Sequence, residues 1–155
     1  MRLLKKIALL LLVLFIAIQF IRPARNICGQ VLSGGITQMV PVPDAVLDLL
    51  SNSCYDCHSN NTRYPWYVNI QPMGWQMARH IKQGKENLNF DEFGSYSKRK
   101  QGNKLRAIAT SITEGSMPIA AYTLMHTDAK LSKEQAALVS RWALDTRDSL
   151  LQLNK

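Results

Sequence analysis

A chain of 155 residues with three cysteines has room for one small domain once any targeting segment is set aside. Its formal net charge of +8 invites a nucleic-acid reading until the charges are located: Arg2, Lys5, Lys6, Arg22 and Arg25 all flank one N-terminal apolar run, and the rest carries fourteen basic against eleven acidic groups. That remainder is ordinary for a domain and calls for no nucleic acid, so most of the basicity concerns membrane topology.

In chain order, Arg2, Lys5 and Lys6 precede an apolar stretch from Ile7 to Ile21 broken only by Gln19, the layout of an export signal. Fifteen helical residues cover about 22 Å, less than the roughly 30 Å hydrocarbon core, and Leu3 and Leu4 with snorkelling lysines bring the run near spanning length. No small-x-small cleavage site follows; the run ends in Phe20-Ile21-Arg22-Pro23-Ala24-Arg25. Residues 1–25 are therefore predicted to be an uncleaved signal anchor, in preference to a cleaved signal, with the N-terminus in the cytoplasm. Residues 26–42, with Gly34-Gly35 and Pro41, read as a tether, and 43–155 as the domain. A lipid-modified Cys28 would need small apolar residues before it, and Arg25-Asn26-Ile27 are not that set, so Cys28 reads as a free thiol near the membrane.

Asp44 to Ser53 is the first helix: Pro43 suits an early helical position, Asp44 the positive end, and Val46, Leu49 and Leu50 share a face. It delivers Cys54-Tyr55-Asp56-Cys57-His58, the spacing by which a c-type haem is attached through two thiols with the histidine giving its nitrogen to iron. The competing readings are weaker. A structural zinc site wants four ligands and the third cysteine, Cys28, is far upstream; a thioredoxin-like pair expects a βαβ pattern that is not visible. The loop that follows is expected to pack Tyr64, Trp66 and Tyr67 on the haem edge. Pro72 then opens a helix with Met73, Met77 and His80 or Ile81 on one face and Gly84 as its stop. Residues 85–103 read as irregular, with an aromatic patch of Phe90, Phe93 and Tyr96, and with Lys98-Arg99-Lys100 as a solvated loop that at most steers an acidic redox partner. A helix from about Lys104 to Glu114 closes at Gly115, and a last helix opens on a capping box, Ser132 and Gln135, carrying Leu138 and Trp142 inward. No strand alternation is present, so the fold class is all-α, a small cytochrome c-like helical domain around one covalent haem.

The second axial position decides the function. Met117 is the preferred ligand, in Gly115-Ser116-Met117-Pro118 just past a helix end, where a proline-stiffened loop can hold a thioether. His80 is its main rival; Met125, His126 and an open site complete the set.

The run Cys54 to Trp66, then Asn87-Leu88-Asn89-Phe90, Gly115 to Pro118, Tyr122, His126 and Leu131-Ser132 resembles the small haem-binding-domain family of single-haem c-type bacterial envelope proteins. The likeness runs from about Pro43 to Trp142 and includes the anchor style ending in Gln19-Phe20-Ile21-Arg22-Pro23. It implies one haem c on Cys54 and Cys57, and its Met-Pro element matches Met117 and Pro118. Covalent attachment in bacteria takes place outside the inner membrane, so the domain is expected in the periplasm on a single-pass anchor. The favoured role is an electron carrier with redox partners in the envelope and no nucleic acid. A haem peroxidase or gas-ligand sensor with a displaceable distal position is the alternative, and a structural subunit with an incidental haem a third.

Overall fold

The computed structural model describes residues 1–29 and 33–152. Its helices are α1 (Arg2–Ile18), α2 (Ile36–Met39), α3 (Asp44–Ser53), α4 (Tyr55–His58), α5 (Met73–Asn87), α6 (Lys98–Thr113), α7 (Ala120–Met125) and α8 (Lys133–Gln152), with short 3₁₀ segments at Trp66–Asn69, Phe90–Ser95 and Thr127–Ala129. No strand occurs among the described residues; one isolated antiparallel bridge joins Ile27 to Asn61. The all-α expectation holds.

Two apolar clusters build the domain. In the larger, Val46 and Leu50 of α3 meet Leu105, Ile108 and Ile112 of α6 and Val139, Trp142 and Ala143 of α8, with Phe90 and Phe93 filling one end. The smaller gathers Val68, Met77, Ile81, Tyr122 and Ala129. Cys54 packs against the first and Cys57 against the second, so the sequence motif lies on the seam between them.

α3 has the predicted bounds, and α8 opens on the predicted box: the Ser132 N–H donates to Gln135 Oε1 at 2.8 Å and the Gln135 N–H to Ser132 Oγ at 3.2 Å. Trp142 is inside, but Leu138 is exposed and Val139 takes the inward position. α6 starts six residues before the sequence suggested. Ser97 caps it, so the Lys98-Arg99-Lys100 run is an exposed first helical turn, not a loop. It ends as expected at Gly115, whose φ of 69° suits a residue without a Cβ.

Gly84 does not stop α5. The helix continues to Asn87, because Gly84 is used for contact: a Cβ there would run into the Cys57 carbonyl group, its carbon 3.0 Å away. The inward stripe of α5 is Gly74, Met77, Ile81 and Gly84, and Met73 points outward.

The N-terminal helix forms, but at 17 residues it spans about 25 Å, and among the described residues no helix is long and apolar enough to cross a membrane. Beyond it the chain lies on the domain. The Asn26 N–H donates to Tyr64 Oη at 2.7 Å, its Nδ2 to the Ser59 carbonyl at 2.8 Å and Thr62 Oγ1 at 2.9 Å, and Lys85 Nζ donates to Asn26 Oδ1 at 2.7 Å. Further along the expected tether, Ile36 and Val40 are buried in the larger cluster.

Candidate functional site

Three helical faces and one loop enclose a cavity of about 540 Å³, inside the range of cofactor sites. The α3–α4 junction supplies Ser53, Cys54, Cys57 and His58; α5 supplies His80, Gln83, Gly84 and Asn87; α6 supplies Lys104, Ala107, Ile108, Ser111 and Ile112. The spacings on α5 and α6 are those of one helix face, so each helix gives the cavity a continuous wall. Met117, Pro118, Ile119 and Tyr122 close it from the segment after α6.

α4 is held by its own polar residues. Asp56, only 5% exposed, lies between the two cysteines and accepts from the Arg63 N–H at 3.0 Å, Arg63 Nε at 3.2 Å and Tyr122 Oη at 2.6 Å. Tyr122 in turn stacks on His126 at 4.3 Å between ring centroids, and His126 Nε2 is bonded to Tyr67 Oη at 2.7 Å. Burial, then the bond to Asp56, pushes the Tyr122 phenol well above its ordinary pKa. This network fixes the direction in which Cys54, Cys57 and His58 face. It was invisible in the sequence, because Asp56 occupies a variable position of the motif.

His58 Nδ1 lies 2.9 Å from the Leu88 carbonyl oxygen. A carbonyl only accepts, so Nδ1 carries the proton and Nε2 keeps the lone pair a metal needs. Burial holds the imidazole below its ordinary pKa of 6.5, with the backbone bonds to Leu88 and Gly84 pulling the other way. The bond is of the kind that orients a metal-bound histidine and raises its basicity. Leu88 is the residue that ends α5, so the helix packed on Cys57 through Gly84 also orients His58.

Both thiols are unpaired, and burial raises their pKa from 9.0 to about 12 for Cys54 and about 11 for Cys57, with Cys57 adding to the first shift and Asp56 to the second. Both rival ligands, Met117 and His80, line the cavity. Met117 is 39% exposed; its N–H and that of Ser116 both donate to the Ser111 carbonyl, at 3.2 and 3.0 Å, which ties the loop to the end of α6. Met125 and His126 do not line it: the first is exposed and the second is engaged with Tyr67. Nor do Tyr64, Trp66 and Tyr67, expected on the haem edge; Tyr64 and Tyr67 pack into the smaller cluster and Trp66 faces outward. Cys28 is exposed and does not line the cavity.

The donor set fits a haem. An apolar slot carries two thiols and an imidazole with a free Nε2 on one wall, and Ser53 Oγ, buried on that wall, finds no hydrogen-bond partner among the described residues. Buried polar atoms are rarely left so unless something else meets them. A helical domain with this wall is a haem-binding protein. The chain belongs to the haem-binding domain family, which it matches over residues 13–145. No curated protein and no solved structure matches it.

Proposed function

We propose that this protein is a monohaem c-type cytochrome that carries electrons in the bacterial cell envelope, with Cys54 and Cys57 joined covalently to the haem and the iron ligated by His58 and Met117. When bound, the haem supplies one-electron chemistry. The protein's residues would hold and orient it: His58 is set by Leu88, α4 is set by Asp56, and Lys104 lines the same cavity as a cation that would favour the haem carboxylates. The observation that carries the reading is the shared cavity, which takes its thiols and imidazole from one segment and a methionine from another, fifty-nine positions later. Met117 is favoured over His80 because His80 belongs to α5, the helix that already orients His58, whereas Met117 arrives on a separate loop held by Ser111. In this reading α1 keeps the domain at the outer face of the inner membrane, near respiratory partners.

The test is the spectrum of the haem-loaded chain, oxidised and reduced, with and without carbon monoxide. The wild type is expected to show the weak long-wavelength sulfur-to-iron band when oxidised and to resist carbon monoxide when reduced. Met117→Ala abolishes the band and opens the iron to carbon monoxide; His80→Ala does neither. Loss of six-coordination in His80→Ala alone would reverse the ligand assignment. Immediate carbon monoxide binding by the wild type would replace the carrier with a ligand sensor or peroxidase, the reading that the exposure of Met117 favours. Mass spectrometry under denaturing conditions checks attachment: the haem mass stays on the chain if Cys54 and Cys57 hold it.

A further inference from the structure

The end of α1 is fastened to one face of the domain. Gln19 Oε1 accepts from the Gln71 N–H at 2.8 Å, while Gln19 Nε2 donates to the Phe15 carbonyl at 2.9 Å and the Gln71 carbonyl at 3.3 Å. Trp75 Nε1 donates to the Ile21 carbonyl at 2.8 Å, and Arg25 Nη2 to Asn69 Oδ1 at 2.9 Å. Both sides of this junction expose large apolar side chains. Phe20 is 82% exposed and Ile21 also lies open on one side; on the other, Trp66 is 74% exposed and Ile70 and Met73 accompany it.

Three observations say what covers this face. First, it continues α1, which is apolar around its circumference from Ile7 onward and buries no side chain against the protein; a helix apolar all round needs apolar surroundings all round. Second, Gln19, the polar residue inside the apolar run, has both ends of its amide satisfied within the chain, as a polar group removed from water requires. Third, the length is short by a definite amount. The 17 residues of α1 give about 25 Å against a core of roughly 30 Å. Bonds from the N–H groups of Gln19, Phe20 and Ile21 to residues three earlier continue the helix as a 3₁₀ turn, adding about 6 Å. Phe20, Ile21 and the residues fastened beside them then fall at the boundary between hydrocarbon and headgroups, where tryptophan is enriched, with Arg22 just beyond to meet lipid phosphates.

We propose that Trp66, Ile70 and Met73, together with Phe20 and Ile21, form a seat that sinks into the interface of a phospholipid bilayer and holds the domain against the membrane in one orientation. The inference rests on reading α1 as a membrane segment, and the test separates the two. The full-length, haem-loaded chain is reconstituted into vesicles of phosphatidylethanolamine and phosphatidylglycerol, with photo-crosslinking benzoylphenylalanine replacing in turn Leu10 in α1, Trp66, Ile70, Met73, and Ser149, an exposed residue of α8. Lipid adducts are read by mass spectrometry. The seat predicts adducts at Leu10, Trp66, Ile70 and Met73 and none at Ser149. Adducts at Leu10 with none at the other three would overturn the seat and leave the anchor standing, whereas their absence at Leu10 would overturn the anchor reading and the seat with it. Crosslinks from position 66 to a second copy of the chain, in place of lipid, would also overturn the seat.

Discussion

Gly84→Ala isolates the contact on which the haem wall depends. In a helix, alanine is favoured over glycine by about 1 kcal/mol, so propensity alone predicts stabilisation. At Gly84 the new methyl would meet the carbonyl oxygen of Cys57, with the carbonyl carbon at 3.0 Å and Cys57 Cβ at 3.2 Å. Carbon atoms pack best at about 3.5–4.0 Å, and the obstacle is backbone that cannot rotate away. Overpacking costs about 1–3 kcal/mol, and against immovable backbone the upper part of that range, about 2–3 kcal/mol, applies; less the propensity gain, this leaves a net loss of about 1–2 kcal/mol. In a chain of this size that lowers the unfolding midpoint by about 2–8 °C. The control is Gly102→Ala in α6, where the new Cβ would lie 3.6 Å from a Leu151 side-chain carbon, an ordinary contact, so the same substitution should raise the midpoint. Thermal unfolding of both variants, followed by far-ultraviolet circular dichroism, decides the matter. If the two are equally stable, α5 is not seated on Cys57 as described.

Two further outcomes follow from the polar groups around the motif. Tyr122→Phe keeps the ring on His126 but removes the hydroxyl from buried Asp56, at an expected cost of about 1.5–3 kcal/mol in urea unfolding; a change under about 0.5 kcal/mol would mean that water replaces the phenol. The haem-free chain should lose stability as pH rises above 9: the folded thiols keep their protons up to about 11 and 12, the unfolded ones release theirs from 9.0, and stability falls where the folded state binds more protons. The raised phenol of Tyr122 adds to the fall above pH 10. In the haem-loaded chain, cysteines converted to thioethers as proposed would have no proton to lose, so only the tyrosine part should remain. Urea unfolding across pH 8–11, with and without haem, measures the difference, and identical profiles would argue against thioether formation.

The sequence carried whatever depended on local pattern. α3 announced itself by its proline, aspartate and apolar face, and α8 by the Ser132 and Gln135 box, because caps and periodicity are short-range signals. The wall residues Cys54, Cys57 and His58 were readable for the same reason. Long-range contacts were not. The partner of His58 is a backbone carbonyl thirty residues away, which no side-chain pattern encodes. Gly84 looked like a stop because glycine serves both as a breaker and as a point of close approach, and only the position of Cys57 separates the two uses. Trp66 was expected on the haem edge with Tyr64 and Tyr67, yet the two tyrosines are half-buried against the smaller cluster and leave it facing out. The charged run at Lys98 hid the first turn of α6, whose cap, Ser97, lay just before it.

The bonds that hold Asn26 and Gln19 also determine how far the cavity can travel from α1. A slack linker from Gln19 to Gly29 would let the domain wander by roughly 18 Å and sample partners over a wide volume. Pinned as it is, the chain behaves as a bracket: the cavity keeps one distance from α1 and turns with it. On the proposal that α1 lies in a membrane, a protein in the same plane would meet a high effective concentration of the domain if its docking site lay at the matching height, and almost none if it did not. Lengthening the bracket would change which partners are reachable without altering a residue of the cavity.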